Sequence, residues 1–260
     1  MSGFHLTFST RGRAPVAPGE GPRRSIVRAL LRVAGARIVL FCVVDDHVHV
    51  VVLCDAREVN TLARDLLFAL RAVAHAVPEA AHVRPIASRG HAEWLLTYVL
   101  TQVDHHAIDA APALWSGSCF SELAGTRVVD GWVWNIRELL PRFRVREAFA
   151  AVGLANPLEP APDELVRAPG AWRLAGAVAH AACADAALAG NEPHVIEARR
   201  VVAHLGRAVG IADRDLADAT RTRKRQIARL AARTPCARLA RAARMRLALE
   251  EVVRCASPRK

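Results

Sequence analysis

FCVVDDHVHVVVLC, Phe41–Cys54, is two apolar, β-branched runs parted by Asp45-Asp46. Runs this short and this rich in valine favour strands, and an Asp pair supplies turn chemistry. The reading is a hairpin of Arg37–Val44 and His47–Cys54. Its second strand holds two polar side chains, His47 and His49. In a strand, residues i and i+2 share a face, so both imidazoles emerge side by side from a stretch otherwise suited to burial. Working outward, Phe4–Ser9 alternates as a strand and Gly12–Gly21 reads as a loop. Arg23–Val33 and Val59–Val73 repeat their apolar residues with the helical period. A strand around His82–Ala87 and a helix from about Glu93 to Val103 follow. This order predicts an α+β fold, an antiparallel sheet with packed helices, over residues 1–125.

The helix over Glu93–Val103 carries the only tyrosine of the chain, Tyr98, four residues before Gln102. That spacing puts both on one helical face. A phosphodiester resists attack because its anionic oxygens repel a nucleophile, and a divalent cation relieves that repulsion. Neutral His47 and His49 can supply two metal ligands and the Gln102 carbonyl oxygen a third. A mixed nitrogen and oxygen set suits Mg²⁺ or Mn²⁺. Tyr98, one turn from Gln102, is the candidate nucleophile.

The strand with His47 and His49, followed by EWLLTYVLTQ with Tyr98 and Gln102, resembles the HUH superfamily (His, hydrophobic, His). The likeness is to its single-tyrosine transposases, of the insertion-sequence and REP-associated types. It runs from about Phe4, in FHLTFSTRGR, to about Gly125, after ALWSGSCFSELAG. The resemblance implies an HUH nuclease-like domain with both His on a central strand. It implies cleavage and rejoining of single-stranded or hairpin DNA through a 5′-phosphotyrosyl intermediate. It also implies a homodimer, leaving open whether Tyr98 meets the His pair of its own chain or of a partner. Two departures stand out. Asp45-Asp46 replaces the usual Pro-Asn, so Asp46 either only makes the turn or also hydrogen-bonds a ligand His. Asp104-His105-His106 replaces Asn-Pro, which makes His106 an alternative third ligand. Otherwise His105 and His106 are solvent-facing residues at a helix end.

Beyond Gly125 the strand signal fades. Residues 126–170 read as a connecting region, with Pro157, Pro160, Pro162 and Pro169 near its end. Residues 171–260 read as all-α. The net charge of +11 is concentrated there: residues 201–260 carry +10 of it, nearly all as arginine. Ala198–Val209 reads as an amphipathic helix. Asp213 is placed to cap Arg214–Ala219, and Thr222 to cap Arg223–Ala232. Two short helices after a longer one form a helix-turn-helix pattern with Ile211, Leu216, Ile227 and Leu230 as its core. Arg221, Arg223, Lys224, Arg225 and Arg229 would then meet duplex DNA through the second short helix. A solvated basic face is the competing reading.

The isolated cysteines lack zinc or redox spacing, and no apolar run is long enough to span a membrane. The chain reads as a soluble protein of the reduced cytoplasm, near the nucleoid. Ser116-Gly117-Ser118-Cys119 is not a nucleophile elbow, and Trp132 and Trp134 read as packing residues. Three functions compete: a metal-dependent DNA strand transferase, a non-catalytic DNA-binding regulator of the same fold, and a metal-dependent hydrolase that makes no covalent intermediate.

Overall fold

A computed structural model describes residues 2–256. Its four strands are β1 (Ser2–Ser9), β2 (Ile38–Val43), β3 (His47–Cys54) and β4 (His82–Pro85), in one antiparallel sheet of order β2-β3-β1-β4. The expected hairpin forms the β2–β3 pair, closed by the Val44 N–H donating to the His47 carbonyl at 3.1 Å. β3 and β1 are the central strands, and every residue of β3 except His47 is buried.

Helices α1 (Glu20–Ala34) and α2 (Val59–Val73) pack on each other, α1 against β2 and α2 against β1. Their inward residues, among them Ile26, Leu30, Leu62, Leu66 and Leu70, are fully or almost fully buried. Next come α3 (Arg89–Leu100) and α4 (Gln102–His105), then α5 (Phe120–Leu123), α6 (Ile136–Leu139) and α7 (Val145–Ala151). Between α4 and α5 the chain lies along the free edge of β2. Val43 N–H donates to Gly117 O at 3.0 Å and Cys119 N–H to Phe41 O at 3.0 Å. Gly117 is needed there, since a Cβ would sit 2.3 Å from the Val43 carbonyl oxygen. Ser116-Gly117-Ser118-Cys119 is thus an edge-covering loop. Trp132 meets Phe41 edge-on and Trp134 packs near Phe143.

The chain divides into two compact units, residues 2–123 with 129–157, and residues 124–128 with 158–256. The connecting region expected over 126–170 is shared between them, because Ile136, Phe143 and Phe149 are buried with the first unit while Ala161 and Val166 join the core of the second. The second unit is helical: α8 (Asp163–Arg167), α9 (Gly170–Ala181), α10 (Pro193–Ala208), α11 (Asp213–Ala219), α12 (Lys224–Ala231) and α13 (Ala237–Ala256). Its core is built on alanine, valine and leucine, including Leu174, Val178, Val201, Val202 and Leu216. No helix among the described residues is long and apolar enough to cross a membrane.

Candidate functional site

Antiparallel register assembles the site. Thr7 of β1 lies opposite His49 of β3, Ser9 opposite His47, and His5 opposite Val51. On the other side of β1, His82 and Arg84 of β4 pair with Thr7 and His5. Alternation turns all of these to one face of the sheet, while Leu6, Phe8, Val48 and Val50 take the buried opposite face. The polar face opens into a cleft of about 420 Å³ that is also lined by Arg13, Asp46, His91, Trp94, Tyr98, His105 and His106.

Within it the imidazoles form a chain. Nε2 of His47 and Nε2 of His49 are 2.7 Å apart, and Nδ1 of His49 is 3.0 Å from Nε2 of His5. His47 Nδ1 lies 2.6 Å from Asp46 Oδ1. One proton assignment satisfies all three contacts with neutral rings: His5 donates to His49, His49 to His47, and His47 to Asp46. Burial, then the neighbouring His47 and His5, pushes the His49 pKa down to about 2. Burial, then His91 and Arg84, lowers His5 to about 4. Both rings are therefore neutral at physiological pH, the form that binds metals. For Asp46, burial alone would raise the pKa, but the hydrogen bond and charge of His47 hold the carboxyl below its usual range. Asp46 thus does more than turn the hairpin: it fixes the orientation of His47.

The helix expected over Glu93–Val103 begins earlier and is broken. Ser88 caps it, its Oγ accepting from the His91 N–H at 3.1 Å. It ends at Leu100, where Thr101 leaves the helical region (φ −103°, ψ 18°) and bonds back to the Thr97 carbonyl. Gln102 therefore starts α4 rather than continuing the helix of Tyr98. It is wholly buried, and its Nε2 donates to the Tyr98 carbonyl at 2.8 Å. Its Oε1 is buried and accepts no well-formed hydrogen bond, although it lies close enough to His49 to favour the protonated ring.

The donors can be tested against a divalent ion. Two nitrogens about 2.1 Å from one metal at a right angle lie about 3.0 Å apart, close to the observed Nε2 separation. No group of three or more His, Cys, Asp or Glu side chains is arranged to hold a metal among the described residues. A site here would rest on His47, His49 and a third donor, Gln102 or His106. Gln102 offers a buried oxygen without a partner. His106, half-buried and lowered in pKa by burial and by His47, instead meets His47 edge-on at 4.7 Å between ring centroids. Gln102, which is buried outside the cleft lining, and His106, which lines the cleft, are thus both candidates for the third donor. With both Nε2 lone pairs engaged, His49 carries its proton on Nδ1, and His5 Nε2 is placed to accept it.

Within the single chain the Tyr98 ring faces His49. It lies 5.4 Å from the His49 ring, 6.3 Å from His5 and 5.6 Å from His105. Its other neighbour is Trp94, stacked at 4.5 Å and 17°, with 55% of its surface exposed. His105 and His106 stand at the end of α4 as expected, His105 exposed and His106 half-buried, and both also line the cleft. Trp94, His5, His82, Arg84 and His91 were not singled out from the sequence. For Trp94 a signal existed, its i,i+4 spacing to Tyr98. For His5 only the strand pairing reveals the role.

No family model, curated protein or solved structure matches this chain.

In the second unit, the basic residues read from the sequence are divided. Arg221, Arg223, Lys224, Arg225 and Arg229 are all exposed. Arg221 and Arg229 line a groove between α10 and α12, whereas Arg223, Lys224 and Arg225 do not. Three details differ from expectation. α10 starts at Pro193, five residues early. Asp213 lies inside α11, with Ala212 at the cap position. Thr222 bonds Thr220 side chain to side chain, so Arg223 takes the cap position and its N–H donates to Gln226 Oε1. The expected apolar contacts form: Leu216 and Ile227 are fully buried, with Ile211 and Leu230 packed beside them. Gly206 permits the close approach of α10 to α11, since a Cβ there would lie 2.3 Å from a Leu216 methyl.

Proposed function

We propose that the chain is a metal-dependent DNA strand transferase of the HUH single-tyrosine type, cleaving and rejoining single-stranded DNA through Tyr98. The observation that carries this reading is the placement of the Tyr98 ring 5.4 Å from His49, whose Nε2 faces that of His47. Tyr98, His47 and His49 thus share one cleft. His47, His49 and Gln102 would hold Mg²⁺ or Mn²⁺, which when bound neutralises phosphate charge. Asp46 and His5 orient the two imidazoles, and Arg13 and Arg84 at the cleft wall favour an anionic strand. The exposed indole of Trp94 offers a face for a nucleobase beside the reacting phosphate.

Tyr98 Oη attacks phosphorus and the bond to the 3′-oxygen breaks. The phenolic proton is lost to solvent, and the departing 3′-oxygen takes up a proton. The product is a 5′-phosphotyrosyl strand with a free 3′-OH, and a later 3′-OH reverses the step. The helices α10 to α12 suggest a helix-turn-helix for duplex DNA. A non-catalytic regulator is the second reading, favoured by the neutral His chain that closes on itself through hydrogen bonds.

The test is a denaturing gel of the full chain with labelled single-stranded hairpin DNA and Mn²⁺. A covalent protein–DNA band lost in Tyr98→Phe is the expected result. A mobility shift with no covalent band favours the regulator. Cleavage that survives Tyr98→Phe points to a hydrolase.

A further inference from the structure

The second unit holds a groove of about 420 Å³ between α10 and α12, walled by Arg199 and Arg200 of α10, Arg221 of the turn, Arg229 of α12 and Arg233 just beyond it. Among the described residues no carboxylate lines it. Arg200 is paired with Glu197, on its own helix. The other four guanidinium groups make no ion pair among the described residues. Nε of Arg199 is buried and lacks an acceptor. Four guanidinium groups without an ion pair around one groove repel each other, and a buried N–H without a partner is costly, so the arrangement calls for an anion. Guanidinium groups answer phosphate oxygens with paired N–H donors.

Two further features define the groove. Arg221 holds a left-handed backbone (φ 50°), uncommon for a residue with a side chain, fixed by its N–H bond to Asp218 O and by the buried Thr220 hydroxyl bonding Leu216 O. Strain of this kind in a non-glycine residue is concentrated at functional sites. Along α12 and past its end, Gln226, Arg229, Leu230 and Arg233 recur at the spacing of one helical face, which is the face lining the groove. Lys224 and Arg225 lie off that face and are exposed. Arg229 therefore joins two basic surfaces, a groove and an outer face. A ligand long enough to engage both is favoured over a compact anion.

We propose that this groove is a phosphate-binding site that grips the backbone of duplex DNA. It would act independently of sequence, while the outer face of α12 is left to meet base edges. The source of the phosphate rests on the duplex-binding reading given above; the site itself does not.

The experiment compares the full-length protein with Arg199→Gln/Arg233→Gln, with the charge-preserving Arg199→Lys/Arg233→Lys, and with Arg142→Gln/Arg146→Gln as a charge-matched control in the other unit. Circular dichroism checks the fold. Two probes are used: inorganic pyrophosphate in a thermal shift, and labelled duplexes of unrelated sequence in anisotropy over a range of salt. Pyrophosphate should stabilise the wild type and not the Gln variant. Duplex affinity should fall about tenfold or more in that variant, equally for all sequences, with the salt slope reduced by about 1 to 2. The Lys variant should keep most of the salt slope and lose part of the affinity. Unchanged duplex affinity and slope, or an equal loss in the control, would overturn the proposal. Absence of duplex binding by the wild type refutes the duplex reading alone. The groove is then decided by pyrophosphate: a shift lost in the Gln variant keeps the site for a free phosphate ligand, and a missing or retained shift removes it.

Discussion

Replacing Gln102 by leucine separates a ligand from a packing residue, because the two roles predict opposite signs. Without metal, Gln102→Leu removes one hydrogen bond, Nε2 to the Tyr98 carbonyl, worth about 1 kcal/mol net. It also removes a buried carbonyl oxygen that has no partner, a burden of about 1–3 kcal/mol. The metal-free variant should then match the wild type to within about 2 kcal/mol and lean towards greater stability. Metal shifts the balance back towards the wild type. At a hundredfold excess over Kd, binding stabilises a folded protein by about 2.7 kcal/mol. A tenfold loss of affinity leaves about 1.4 kcal/mol of that. The assay is urea unfolding followed by tryptophan fluorescence, in EDTA and in Mn²⁺, for both proteins. An equal Mn²⁺ increment in wild type and Gln102→Leu would refute the assignment of Oε1 as a ligand. A metal-free loss well above 2 kcal/mol would show that the amide is there for packing.

His5→Ala should weaken Mn²⁺ binding about 10- to 100-fold by releasing His49 Nδ1; calorimetry on the metal-free protein measures this, and unchanged affinity would show that His5 does not position His49. Trp94→Ala should cost about 1–3 kcal/mol of single-stranded DNA affinity while leaving the Mn²⁺ increment intact, as read by anisotropy and thermal shift. Metal-free protein should lose stability on acidification. His5 has a folded pKa of about 4 against 6.5, so its contribution is complete above 6.5 and is lost as pH falls through 4, about 3 kcal/mol in all. Urea titrations at pH 7 and pH 4 test this; a flat profile, or the same profile in His5→Phe, contradicts it.

The strand pair and its two histidines were legible because β-branched alternation is a local signal, and His47 and His49 interrupt it with the period of a strand. The α+β class of the first unit followed from the same reasoning. What joins the strands was not legible. The register that sets Thr7 opposite His49 and brings His5 alongside is made between residues more than forty positions apart. The burial of Gln102 depends on a helix break at Thr101, where a hydroxyl bonding back to Thr97 competes with the backbone. In the helical unit, Leu216 and Ile227 were identified by periodicity. The cap at Asp213 was misplaced because α11 takes in Asp213 and leaves Ala212 at the cap position, and the cap at Thr222 because Thr222 spends its hydroxyl on Thr220. Neither event leaves a mark in the residue types.

The segment around Gly117 that lies along β2 has a consequence for assembly. Its hydrogen bonds occupy the edge through which another strand would have to add. At the opposite border β4 is four residues long, ends in proline and carries His82 and Arg84. Among the described residues it has no neighbour beyond β1. A sheet continued from one copy of the chain into another would therefore have to grow from β4, the strand that carries the His82 and Arg84 wall of the cleft.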